Sequence, residues 1–328
     1  MPRSNDIAPR NRSRDSLSLI LCRVLAMTTS DMTSPGTLPY GITPPGYRLP
    51  DATHIGRVRL QVADLERSIA YYETVIGLRV LERTSGRALM GAHDDTRVLV
   101  ELQERAGVRP VARRGHIGLY HFAILLPDRA SLGRFVAHLG QIGAYAGMSD
   151  HFVSEAVYLT DPDGLGIEVY ADRPRAEWTY QDRQLSMTTI PLNVPDLIAA
   201  AGGRPWTGAP AGTVIGHVHL YVRELDSAEA FYHRALGLDK VVWGYPGALF
   251  MSAGGYHHHL GTNTWAAGAP LTTDDDARLL EWEVVVPTPA DVNAAAQSLE
   301  GAGYLVDRTG DGVAVRDPWG TQLRVIAG

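Results

Sequence analysis

Over Ile55–Val62 (IGRVRLQV) hydrophobic and polar residues alternate, and from Leu65 the apolar positions recur at helical spacing through Ile69 and Tyr72. That switch of period predicts a half-buried strand followed by an amphipathic helix. The same switch recurs at Ile215–Val222 (IGHVHLYV), leading into Leu225, Ala228 and Tyr232. A second pair has the same layout: Leu119–Leu126 runs into a helical pattern over 127–139, and Leu279–Val286 into one over 287–299. The same number of residues separates the two members of each pair. Each second-type copy closes with a turn and a final strand, Asp161-Pro-Asp-Gly164 before Glu168 and Asp317-Pro-Trp-Gly320 before Arg324. Pro fixes φ and Gly accepts a positive φ in such turns. Asp64, and Asp226 in the related copy, sit near the predicted helix starts, where a carboxylate can cap free N–H groups.

The chain therefore reads as four copies of one βαβββ module, at about 52–104, 115–172, 213–264 and 278–328. The expected fold is α+β. So small a module cannot cover both faces of its sheet, so modules pair into two half-barrel cups. Residues 52–172 are expected to form one domain and 213–328 the other. Between them, 173–212 is a Pro-, Gly- and Ala-rich linker with a short helical stretch at Val194–Ala201. Residues 1–51 are expected to be a flexible or spurious tail. Arg3, Arg10, Arg12 and Arg14 precede Leu17–Cys22, but Arg23 interrupts the apolar run and no small-residue cleavage site follows. Pro35–Pro50 reads as an extended lead-in.

Composition narrows the function classes. A hydrophobic fraction of 45% and a charged fraction of 20% are those of an ordinary globular protein. Net charge is −6, which argues against nucleic acid or an anionic membrane as partner. No apolar run is long enough to span a bilayer. The single cysteine, Cys22, allows no intramolecular disulfide and fits a reducing cytoplasm. Twelve histidines exceed what structure alone requires, so their placement carries the functional argument.

The repeated module, the Asp161-Pro-Asp-Gly164 turn followed by Glu168, and Gly254–Gly261 (GGYHHHLG) together resemble the vicinal oxygen chelate superfamily, within it the catechol-2,3-dioxygenase-like branch. The resemblance covers the chain from Thr53 to its end. It implies a paired-module fold with two cup-facing positions per module, one on the first strand and one on the last. Aligned on those positions, the first strands offer Arg57, His121, His217 and Glu281, and the last strands Glu101, Glu168, His259 and Arg324. Arginine cannot ligate a metal. The Arg and Glu set of modules one and four is therefore expected to be a salt-linked cup. Modules two and three offer His121, His217 and Glu168, the two-imidazole, one-carboxylate triad that suits non-haem Fe(II), with Mn(II) as the other candidate. The rival set takes His217, His259 and Glu281 from the C-terminal half.

By the same resemblance, His151, Tyr158, the Asp-Pro-x-Gly turn and Glu168 match the extradiol pattern. It implies an acid/base role for His151 and a hydrogen bond from Tyr158 to substrate. In the stretch His257-His258-His259, alternation would turn His257 and His259 toward the cup, as substrate-binding or supporting residues, and His258 away. Phe152, Met251 and Trp265 are candidates for an apolar wall. The expected reaction is O2 insertion into a catechol-like aromatic diol, leaving a homo-oligomer open. A glyoxalase- or isomerase-type lyase, which favours four ligands, and a metal-free drug-binding resistance protein are the other classes on the same fold.

Overall fold

The computed structural model describes residues 40–328. The upstream part of the expected tail lies outside the described residues. Residues 40–51, assigned from sequence to that tail, instead pack on the third module. Leu49 and Tyr40 are buried, Leu49 N–H donates to Gly237 C=O, and Arg48 ion-pairs with Asp239. Apolar burial, the backbone bonds of Gly41 to Arg183 and Ile42 to Lys240, and the Arg48 ion pair together hold the segment against its chain entropy.

In module one the strand His54–Val62 is followed by the helix Leu65–Tyr71, a hairpin of Arg79–Thr84 and Arg87–Gly91, and the closing strand Val98–Glu104. The Asp64 carboxylate caps the helix by accepting from Arg67 N–H. Module two repeats the layout with Gly118–Leu125, the helix Arg129–Ile142 capped by Asp128, then Gly147–Asp150, Ser154–Thr160 and Gly166–Asp172. Module three has Val214–Tyr221, the short helix Leu225–Ala228 running into a π turn, then Asp239–Val242, Ala248–Ser252 and Leu260–Asn263. Here Asp226 lies inside the first turn and the capping position is Glu224, which makes no side-chain cap bond. Module four comprises Arg278–Val286, the helix Pro289–Gly301 with a Thr288–Asp291 capping box, then Val306–Thr309, Gly312–Arg316 and Gln322–Ala327.

The sheets pair modules across the chain rather than along it. Modules one and four share an eight-stranded sheet, in which His54–Val62 runs antiparallel to Arg278–Val286. Modules two and three share a nine-stranded sheet centred on Gly118–Leu125 against Val214–Tyr221, with the short strand Ile190–Pro191 at its edge. The linker at 173–212 thus separates consecutive modules, while hydrogen-bonded pairing bridges it. Helix–turn contacts run the other way: Tyr72 OH of module one donates to Asp161 of module two, and Tyr232 OH of module three to Asp317 of module four. The linker itself folds, with the helix Val194–Ala200 crossing Arg129–Ile142 so closely that a Cβ on Gly133 would lie 2.2 Å from Leu197 C=O.

Alternation decides what is core and what is cup. Phe122, Ile124, Val218 and Leu220 from one sheet, and Val58, Leu60, Trp282 and Val284 from the other, belong to a single apolar core. The residues between them on each strand face the two cups.

Candidate metal centre

His121 and His217 stand on the two antiparallel central strands of the second sheet, and Glu168 on the neighbouring parallel strand, opposite Ala123. Strand alternation turns all three into the cup. His121 Nε2 lies 3.0 Å from Glu168 Oε2, His217 Nε2 lies 3.1 Å from the same oxygen, and the two Nε2 atoms are 3.4 Å apart. All three side chains are buried. Bonds of about 2.1 Å to a shared ion would put neighbouring ligand atoms about 3.0–3.4 Å apart, so the triangle has the right edges to hold one. Among the described residues this is the group of His, Asp, Glu or Cys side chains whose ligand atoms converge.

The electrostatics agree. Burial by itself would raise the Glu168 carboxyl, but His217 and His121 hold it well below the usual carboxylate range. Burial pushes His217 down to about 4. An anionic carboxylate beside a neutral imidazole is the protonation state a divalent cation needs.

His121 and Glu168 of the triad line a cavity of about 550 Å³. Tyr120, Tyr221, Tyr245, Phe250 and Trp265 supply its aromatic wall. His151 lies on this cavity, in the turn after Gly147–Asp150. Its Nδ1–H donates to Thr188 C=O at 2.6 Å, because a carbonyl can only accept. That leaves Nε2 as the acceptor for Tyr158 O–H, also at 2.6 Å. Tyr158 in turn sits opposite Glu168 in the antiparallel pair and 5.6 Å, ring to ring, from His121. The residue after His151, Phe152, holds a left-handed φ of 69°, a strain that a bulky side chain adopts only when its surroundings demand it.

Comparison with known proteins gives the lineage. The family model of the Glyoxalase/Bleomycin resistance protein/Dioxygenase superfamily matches residues 54–169 and 214–325. The chain belongs to that superfamily. It is 45% identical over 271 residues to the catechol-2,3-dioxygenase of Bacillus subtilis (strain 168), covering 81% of this chain and 94% of that one. Among solved structures, a Bacillus subtilis protein provisionally assigned to the dioxygenases superposes with TM-score 0.57 at 15% identity, covering 86% of each chain. Glyoxalase I from Zea mays superposes with TM-score 0.52 at 18% identity, covering 84% of this chain and 92% of that one. At such identities the two structures speak for the fold alone.

The superfamily's repeated register also locates the fourth cup position. Glu168 pairs with the residue two past His121, Glu101 with the residue two past Arg57, and Arg324 with the residue two past Glu281. In module three the residue paired two past His217 is Gly261, not His259. A Cβ at Gly261 would lie 2.8 Å from the His219 ring, so His219 fills the space a fourth ligand would need. His219 is fixed there by Asn263, whose side-chain amide donates to its Nε2 at 2.9 Å. His259 lies before the strand Leu260–Asn263, accepts from Ala253 N–H through Nδ1, and packs on Tyr256.

His257 also departs from expectation. It is buried behind the cup, donating to Asp172 at 2.9 Å and meeting the His258 Nδ1 at 2.7 Å. His258, expected to point away, lines the cavity and packs 4.1 Å, ring to ring, from His217. Strand alternation fails here because 257–259 form an irregular loop. Of the three wall candidates, Trp265 lines the cavity, Met251 lies in the core and Phe152 is exposed. Glu281 belongs to the other sheet, where it accepts from the Gln322 side chain, so the rival set with His217 and His259 does not assemble.

Proposed function

We propose that this chain is an extradiol ring-cleaving dioxygenase of the catechol 2,3-dioxygenase type, inserting O2 into a catechol-like diol at a mononuclear non-haem metal held by His121, His217 and Glu168. The observation that carries this reading is a three-donor cup whose fourth register position, Gly261, has no side chain to ligate, so the protein offers the ion three donors and not four. A glyoxalase-type lyase favours a fourth donor there. The Bacillus subtilis relative bears the same activity in its name. Iron is the ion we favour and manganese the second choice, since imidazole and carboxylate donors serve both.

Bound in the triad, such an ion would supply Lewis acidity toward the diol and one-electron chemistry toward O2. The chain's own residues do the rest. The aromatic wall orients a flat ring and excludes water. Tyr158 O–H, bonded to His151 Nε2, lets a diol proton leave toward His151 while Thr188 holds the imidazole tautomer. The second role proposed for this pair, returning a proton to the cleaving ring, uses the same bond in reverse. No described helix is long and apolar enough to cross a membrane. We place the enzyme in the cytoplasm, in the breakdown of aromatic rings, with no nucleic-acid partner.

Anaerobic purification, metal quantitation and O2 uptake with catechol test the reading. His121→Ala should lose both bound metal and O2 uptake, while Glu281→Ala keeps its metal. Full metal loading in His121→Ala, or no oxygen consumption by the iron-loaded native protein with any catechol, would sink it.

A further inference from the structure

The cavity is far larger than a bare catechol, and its charges are one-sided. Glu168, already committed to the triad, is its only acidic lining residue, while Arg113 and Arg114 are its only lysine or arginine residues. Neither arginine has a carboxylate partner among the described residues, although Arg105 and Arg109 on the same segment both do. The turn that carries the pair is pinned at both ends. Val111 N–H donates to Asp163 C=O, beneath which Gly164 leaves no room for a side chain, and Ile117 N–H donates to Pro270 C=O. Between these anchors Gly115 N–H closes the turn on Ala112 C=O, and Arg114 is held at a left-handed φ of 60°. A non-glycine residue in that conformation costs stability and persists where position matters.

The two arginines also border the aromatic wall. Burial raises the Tyr120 hydroxyl and pushes that of Tyr221 up to about 12, while Arg113 and Arg114 pull both the other way. Two exposed cations on a pinned turn at the cavity rim, with no carboxylate partner among the described residues, suit a carboxylate, because a guanidinium fork matches it in shape and charge.

We propose that Arg113 and Arg114 bind an anionic side chain on the substrate, making the preferred diol a catechol that carries a carboxylate rather than a neutral one. This inference rests on the dioxygenase reading and names the substrate class for that site. The diol end faces the triad, the ring lies against the wall that Tyr120 and Trp265 form together, and the acid reaches the pinned turn at the rim.

Steady-state O2 uptake with 3,4-dihydroxyphenylacetate and with 4-ethylcatechol tests it, in the iron-loaded native protein and in the Arg113→Gln/Arg114→Gln double variant. The native ratio of kcat/KM, acid over neutral, should be at least ten, and the double variant should lower that ratio at least tenfold, chiefly through KM. A native ratio of one or less, or a ratio the double variant leaves unchanged, overturns the clamp. If neither diol consumes O2, the dioxygenase reading fails separately. Anaerobic calorimetry with the same two diols then decides the clamp by itself: tenfold tighter binding of the acid, lost in the double variant, supports it, and equal binding ends it.

Discussion

The two cups of this molecule share one backbone register and hold opposite chemistry. In the cup of modules two and three, the register positions carry His121, His217, Glu168 and Gly261. In the cup of modules one and four, they carry Arg57, Glu281, Glu101 and Arg324. The second cup is neutralised from within. Glu101 lies 2.7 Å from Arg57, 2.7 Å from Arg87 and 3.2 Å from Arg59, and Glu283 bridges Arg57 and Arg324. The first cup places one buried carboxylate between two imidazoles, the donor set that suits a cation from outside. A scaffold that turns polar side chains into its cups can either satisfy them with its own opposite charges or leave them to a metal. Only the latter leaves a reactive centre.

The comparison can be broken at three levels. The largest effect should come from Glu168→Gln, which removes the only negative charge of the metal cup. Metal content measured after dialysis should drop by more than half and O2 uptake by more than about a thousandfold, since two neutral imidazoles hold a divalent ion weakly. Retention of full metal and activity would mean that the triangle is structural. Next, His151→Gln should keep the metal but lower kcat about a hundredfold, the usual worth of a positioned acid/base. Stopped-flow oxygen consumption at saturating diol reads this directly. The smallest effect on activity belongs to the salt cup. Glu101→Gln should leave metal content untouched and cost about 1–3 kcal/mol in urea unfolding, because three partly exposed arginines lose their shared anion.

The same glutamate sets a pH signature for that cup. Burial would raise Glu101, but Arg87, Arg57 and Arg59 hold it below the ordinary carboxylate value. A depressed folded-state value adds stability above the unfolded-state pKa and loses it as pH falls through the folded one. Stability of the native protein should therefore decline more steeply below about pH 4.5 than that of Glu101→Gln, measured as urea midpoints across pH. Parallel curves would show that Glu101 contributes no linked protons.

How much of this was legible in the sequence depended on whether regular periodicity extended to the residue in question. His121, His217 and Glu168 stand within strands, where the cup-facing positions implied by the resemblance to the superfamily agree with alternation. The three consecutive histidines do not: they precede a strand, and the loop reverses which of them faces the cavity. Gly261 was invisible as a functional position because its contribution is an absent side chain that admits the His219 ring. Residues 40–51 looked like tail because Pro and Gly dominate locally, yet Tyr40 and Leu49 find a surface that only the folded third module provides.

By itself the sequence determined the module, its fourfold repetition and the contrast between a histidine-bearing pair and an arginine-bearing pair. Those are local properties: period, turn chemistry and side-chain charge. Which modules would meet was decided only in three dimensions, because strand pairing between modules one and four, and between two and three, depends on contacts hundreds or scores of residues apart along the chain. The His–Glu triad exists only through that second pairing, which brings Nε2 atoms from two separate modules to within 3.4 Å of each other beside one carboxylate.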